Sequence, residues 1–168
     1  MMVPNQTVLR LVQCLNRQPG IEGDPFIPVV SLHPYQENAP EKLEALWKQG
    51  ARYIKWLPNA TNVDPRDPRS ADFFKALGRL CMTLLTHTGF ERTLMSHGEA
   101  SQRLANPRHF ETALKKKTRV VMAHSGRTGV GGDGSGGEKD NFQLFLEMMD
   151  RPEYEGYLFG DISAVPLK

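Results

Sequence analysis

Only two cysteines occur in the 168 residues, Cys14 and Cys81. No disulfide framework can hold such a chain, and a reducing, cytoplasmic setting is expected. Both cysteines sit in apolar contexts and are expected to pack as small buried hydrophobes. Long apolar runs are missing too. No stretch reaches the roughly 18 uninterrupted apolar residues of a membrane helix, and the Met1–Gln6 opening lacks the basic region and apolar core of a secretory signal. An excess of charge is likewise absent: 21 Lys and Arg face 19 Asp and Glu. That balance calls for neither a nucleic-acid nor a membrane partner. The one basic run, Lys115–Lys117, reads as a solvated helix end, where cations suit the dipole.

What remains is the composition of a water-exposed globular chain, 39% hydrophobic and 24% charged, long enough for a single domain with a real core. Its pattern alternates. Val8, Leu11, Val12 and Leu15 recur at helical spacing within Thr7–Arg17, and Phe26–His33 reads as a strand. Ala39-Pro40-Glu41 opens a helix that Gly50 stops. Arg52–Leu57 is the next strand, and a Pro/Asp-rich loop leads to Ser70 as N-cap of a helix over Asp72–Leu80. Strand Met82–His87 precedes a long loop to Asn106, where Pro107 starts another helix. Strand Thr118–His124, the glycine-rich stretch Gly126–Gly137, a helix over Asn141–Met149 and strand Tyr157–Ile162 complete the series. In that last helix Phe142, Phe145, Leu146 and Met149 are expected on one face. Five strand–helix alternations without a hairpin signal between strands predict right-handed crossovers and a parallel sheet. An open doubly wound sheet and a segment of a (β/α)8 barrel both satisfy the pattern.

Two of the strands end alike, in a histidine, a small hydroxyl residue and a glycine: His87-Thr88-Gly89 and His124-Ser125-Gly126. A third strand carries Lys55 inside an apolar run. Polar residues where parallel strands meet their loops occupy the place where α/β folds build their sites. Neutral imidazole is a preferred ligand of zinc, so the repetition suggests a metal site; the bland alternative is a pair of histidines that only satisfy strand-end hydrogen bonds. Lys55 is either functional or a side chain snorkelling to the rim. His33 is expected to be structural. No role is assigned to His97 or His109, and Glu91 and Arg92 read first as solvated loop residues that could touch substrate.

These segments, with Gly50–Pro58, Val63-Asp64-Pro65 and Phe159–Ala164, resemble the amidohydrolase superfamily of metal-dependent hydrolases, and most its amidohydrolase-related (second-type) branch. The resemblance spans residues 50–164. It implies a (β/α)8 barrel with one or two divalent metals at the C-terminal rim, zinc first and manganese or iron next. By matched position Lys55 resembles the strand-four lysine, which in two-metal members is carboxylated and bridges the ions. His87 resembles the strand-five ligand and His124 the strand-six ligand; Asp161 matches no metal ligand of the family. Metal ligands His87, His124 and Lys55 are thereby implied, with Lys55 also catalytic. The implied reaction is attack of metal-activated water on an amide, ester or lactone carbonyl of a small-molecule substrate, with decarboxylation or hydration in some relatives.

The chain departs from the family at two points. No His-x-His pair, the first-strand contribution, occurs anywhere, and His33-Pro34-Tyr35 lacks the second histidine. An eighth-strand aspartate is missing as well. The resemblance therefore covers strands three to seven of a barrel that takes about 250 residues, and the expectation is a single, incomplete barrel domain of doubtful activity. Strands Phe26–His33 and Tyr157–Ile162 would then be apolar parallel edges, which predicts self-association. Two alternatives stand beside the enzyme: an inactive barrel fragment or interaction module, and a nucleotide-binding α/β domain. The last rests on Gly129–Gly134, which fits G-x-G-x-x-G but has meaning only if the glycines join strand directly to helix.

Overall fold

The computed structural model describes residues 3–91 and 98–163, with only the backbone of Glu99. Arg92, His97 and Ala164, each singled out in the sequence, lie outside the described residues. In chain order the first elements are α1 (Asn5–Asn16), β1 (Val29–Val30), α2 (Ala39–Lys48), β2 (Tyr53–Trp56), α3 (Pro58–Thr61), α4 (Pro68–Arg79) and β3 (Thr83–His87). There follow α5 (Gly98–Arg103), a 3-10 turn Pro107–Phe110 that continues into α6 (Glu111–Leu114), and β4 (Arg119–Ala123). The remainder comprises β5 (Val130–Gly132), β6 (Glu138–Asp140), α7 (Asn141–Met149) and β7 (Leu158–Gly160). Among the described residues no helix is long and apolar enough to cross a membrane.

The main sheet is five-stranded, in the order β1-β2-β3-β4-β7, and every pairing is parallel. Spatial order equals chain order. A doubly wound sheet reverses direction at a switch point and so places helices on both faces. Here each right-handed crossover steps the same way, which puts the helices on one face. The fold is thus α/β, five parallel strands alternating with helices as in part of a (β/α)8 barrel.

Register shows the consequence. Val30, Ile54, Leu84, Val120 and Leu158 stand side by side across all five strands and none is more than 4% exposed. They pack with Leu43, Phe73, Phe74, Leu77, Phe110, Leu114 and Met148 from the helices. The adjacent rows point the other way. Val29 and Phe159, at the two edges, are 39% and 43% exposed, and Tyr53, Lys55, Leu85 and Val121 between them are half-buried. Parallel sheets ordinarily bury both faces; in this one the second face is open.

Several local expectations are corrected. Asp67, not Ser70, caps α4: its carboxylate accepts from the Arg69 N–H, and Pro68 takes the first helical position. Ser70 is instead buried, its hydroxyl donating to the Asp64 carbonyl. Cys14 and Cys81 are exposed, free thiols rather than core residues. In α7 the buried positions are Asn141, Leu144, Phe145 and Met148, while Leu146 and Met149 face outward. The loop expected from Gly89 to Asn106 contains α5. The glycine-rich stretch forms the antiparallel β5–β6 hairpin outside the main sheet. No glycine there turns a strand directly into a helix, and the nucleotide reading loses the geometry it requires.

Candidate active site at the C-terminal rim

The His–hydroxyl–Gly pattern has a structural cause. After β4 the chain turns through three successive positive φ angles, at His124 (63°), Ser125 (52°) and Gly126 (70°). For two non-glycine residues this is an uncommon conformation that the surroundings must impose. Neighbouring strand ends impose it. The Thr88 hydroxyl, just past β3, donates to the Ala123 carbonyl at 3.0 Å and accepts from the Gly126 N–H at 2.9 Å. The Ser125 hydroxyl donates to the Asp161 carbonyl beyond β7 at 3.0 Å. Both glycines are required by space as well as by φ. A Cβ on Gly89 would stand 2.9 Å from the Thr128 oxygen, and one on Gly126 2.7 Å from the Asn141 oxygen. The small hydroxyl residues therefore stitch three strand ends together and fix the two histidines beside each other.

The two imidazoles lie with ring centroids 5.2 Å apart, edge to face. Each has one nitrogen engaged with a backbone carbonyl. His87 Nε2 is 3.1 Å from the Gly89 oxygen, and His124 Nδ1 is 3.1 Å from the Ser163 oxygen. A carbonyl can only accept, so in a neutral ring the engaged nitrogen carries the proton. His87 is left with its lone pair on Nδ1, and His124 with its lone pair on Nε2. A second support sits behind His124. Ser163 Oγ is 3.0 Å from Nδ1 and donates in a short bond to the Asp161 carboxylate. Asp161 also accepts from the Ser163 N–H at 3.0 Å. Carboxylate, hydroxyl and imidazole form a chain of the kind that fixes ring orientation and tautomer in ligating histidines.

Electrostatics agree with this arrangement. Burial, then the neighbouring His124 and, more weakly, Lys55, pull the His87 pKa below the ordinary imidazole value, against an opposing effect of Glu91. His87 is therefore neutral at physiological pH. Lys55 is pulled down by burial and held partly up by Asp161. Asp161 is pushed down, first by the Ser163 hydroxyl. Lys55, His87, His124 and Asp161 thus share one rim, on the C-terminal ends of β2, β3, β4 and β7. A cleft of about 370 Å³ opens there between His87, Thr88, Phe90, Glu91, His124 and Arg127.

Of the sequence-selected residues, His87 and His124 are brought together on the cleft wall; Lys55, on the neighbouring strand, is near enough to influence His87 electrostatically but does not line the cleft. His33 is not in the cleft: its ring bonds the Thr61 carbonyl and the Tyr35 N–H. His109 lies elsewhere, half-buried near Asp64 and Arg66. Ser163 and Thr88 were missed as supporting residues. The signal available for Ser163 was Asp161-x-Ser163 at the end of a strand, a spacing that lets a hydroxyl reach back to a carboxylate. Three His, Cys, Asp or Glu side chains grouped so as to hold a metal ion are not found among the described residues. The donor set fits a metal in part: two adjacent imidazoles, each with one nitrogen not engaged by a backbone carbonyl, and a lysine that burial shifts toward the amine.

No family model and no curated protein matches the sequence. Among solved structures the chain is similar to a crystal structure from Pseudomonas putida, which carries the provisional name 2-pyrone-4,6-dicarboxylic acid hydrolase. The TM-score is 0.55 at 16% identity, over 94% of this chain and 50% of that one. The chain thus spans about half the length of that barrel protein. At this identity the likeness shows the fold.

Proposed function

We propose that the protein is a metal-dependent hydrolase of the amidohydrolase type, with His87 and His124 as metal ligands and Lys55 as a third donor. The observation that carries the reading is the pair of adjacent imidazoles, each anchored through one nitrogen to a backbone carbonyl so that the other keeps its lone pair. The fold shared with a protein named as a hydrolase supports it. A divalent cation, zinc before manganese or iron, supplies polarisation of an amide, ester or lactone carbonyl and acidifies water.

The chain's own residues do the rest. Burial keeps His87 uncharged and able to ligate. Asp161 and Ser163 hold the His124 proton on Nδ1. Burial draws Lys55 toward the neutral amine that carboxylation requires. The cleft, with Arg127 and Glu91 on its walls, accommodates a small-molecule substrate. Two unpaired cysteines suit a reducing compartment, and the cytoplasm is the proposed setting.

Zinc titration with the bound metal quantified tests the reading. Near-stoichiometric uptake that His87→Ala and His124→Ala each abolish is expected; equal uptake in all three proteins would sink it. A panel of lactone, ester and amide substrates, assayed with zinc, then tests hydrolysis. A second reading, a barrel segment without catalysis, is favoured by the short donor set among the described residues. It predicts a folded, metal-free chain.

A further inference from the structure

Eleven large hydrophobic side chains are exposed among the described residues, and their distribution is uneven. Six lie within residues 3–29 (Val3, Leu11, Ile21, Phe26, Ile27 and Val29) and four within residues 146–162 (Leu146, Met149, Phe159 and Ile162). Only Val130, on the hairpin, lies elsewhere. These two groups flank β1 and β7, the two edges of the sheet. Apolar surface concentrated at both ends of a sheet whose second face is open is the pattern of an interface.

One edge carries a depression: beside β7 a groove of about 520 Å³ is lined by Met149, Leu158 and Phe159, with Asp150, Glu155 and Arg151. A cavity of about 550 Å³ lies instead under the N-terminal ends of β2, β3 and β4, between them and α1, with Arg17, Arg52, Arg119 and Asp24 on its walls. The charge on the segments at the two edges is complementary. The segment Asn5–Arg17, whose Asn5 bonds the backbone at Ser31, contains exposed Arg10 and Arg17 and no acidic residue. The segment preceding β7 exposes Asp150, Glu153 and Glu155.

We infer that the occupant of both edges is a second copy of this chain. Both free edges belong to strands of one direction, so β7 of one copy can continue the parallel sheet onto β1 of another. A two-fold axis along the strands makes this junction twice and closes a ring of ten strands, since a barrel's diameter grows with strand number. The open rows then fill the interior, as inward side chains do in parallel barrels. Basic α1 of each copy meets the acidic approach to β7 of the other. Ring closure depends on the edges and the open face, not on metal or catalysis, so it stands or falls apart from the proposed function.

Sedimentation and light scattering of the whole chain test it. The expected species has twice the 18.9 kDa chain mass. Val29→Lys or Phe159→Lys is expected to weaken association about a hundredfold, as removal of central apolar contacts does. Misfolding of either variant would mimic this loss, so a charge swap serves beside them. Arg10→Glu with Arg17→Glu should weaken the dimer about threefold to fivefold, and so should Glu153→Lys with Glu155→Lys. A mixture of the two charge variants should associate better than either alone. A monomer at high concentration, an open-ended ladder of oligomers, a stable complex with some other polypeptide in place of the homodimer, or a dimer indifferent to the charge swap would each overturn the inference.

Discussion

Ser163 illustrates how much a single hydroxyl can govern at this rim. It gives its proton to Asp161 and thereby offers an oxygen, beside its own carbonyl, to the His124 Nδ1–H. In Ser163→Ala the carbonyl contact can persist, but the link to the carboxylate is lost. If His124 ligates zinc as proposed, affinity should fall about tenfold to a hundredfold, the usual loss when an outer partner is removed. Imidazole nitrogen shifts of His124 in the metal-free protein supply an independent readout. The Nδ1–H form should dominate in the wild type and lose ground in the variant; unchanged shifts and affinity would leave Ser163 without a role. His109 offers a second test at this scale. Burial, then the nearby Arg66, pushes its pKa down to about 4, against Asp64 and a backbone hydrogen bond at Leu104. Its Nδ1 is a buried atom with no hydrogen-bond partner among the described residues. Between about pH 4 and the unfolded value near 6.5 the unfolded chain binds more protons, so stability falls as pH drops through that window. The loss from this one group is on the order of 3 kcal/mol. Urea midpoints across the window should decline toward acid, and His109→Phe should flatten that decline in part. A residue remains from His87, which is shifted the same way.

At the scale of elements, the β5–β6 hairpin shows what packing adds to pattern. A Cβ on Gly131 would lie 2.5 Å from Asn106 Nδ2 and 2.6 Å from Asn141 Oδ1, whereas one on Gly132 meets nothing within 4 Å. Asn106 and Asn141 are both buried and tie the hairpin down through the Gly132 and Thr128 carbonyls. Gly131→Ala should therefore cost about 1–3 kcal/mol by overpacking, and Gly132→Ala far less. Denaturant midpoints compare the two directly. This hairpin was illegible in the sequence because its strands are three residues each and carry glycine and charge instead of alternating apolar residues. The main strands were legible for the opposite reason. Ile54, Leu84 and Val120 sit in apolar runs, and burial of their shared row demands such runs. The phase of α7 was lost because Phe142, Leu144, Phe145, Leu146, Met148 and Met149 leave hardly any polar face to set it. Its N-terminus was plain, for Asp140 accepts from the Phe142 and Gln143 N–H groups as an N-cap should. The start of α4 is misplaced when Ser70 is read as its cap; the cap is Asp67, three positions earlier, with Pro68 at the first helical position. The candidate site was half legible: repeated strand-end histidines announced it, while the Asp161–Ser163 support depends on β7 lying beside β4, which only topology reveals.

Across the whole molecule the sheet is asymmetric in two directions, covered against open and centre against edge. Among the described residues β2, β3 and β4 are hydrogen-bonded on both sides, while β1 and β7 each have a partner on one side only. Amide exchange should follow that order. In a dilute sample β3, at the centre, should exchange slowest, through global unfolding, and the outward N–H groups of β1 and β7 fastest, through local opening or none. The ring inferred above makes a further demand. When β7 pairs with β1 of a second copy, the same outward amides become donors in a parallel ladder and must slow as concentration rises. Amides of β3 should change much less, because association adds only its own free energy to their opening. The β5–β6 hairpin, which pairs with no strand of the main sheet, is the internal control, and its ladder amides should be indifferent to concentration. Edge amides that exchange equally fast at every concentration, in a sample shown by light scattering to be dimeric, would mean that the copies meet through the open faces or the helices instead of through continued strands.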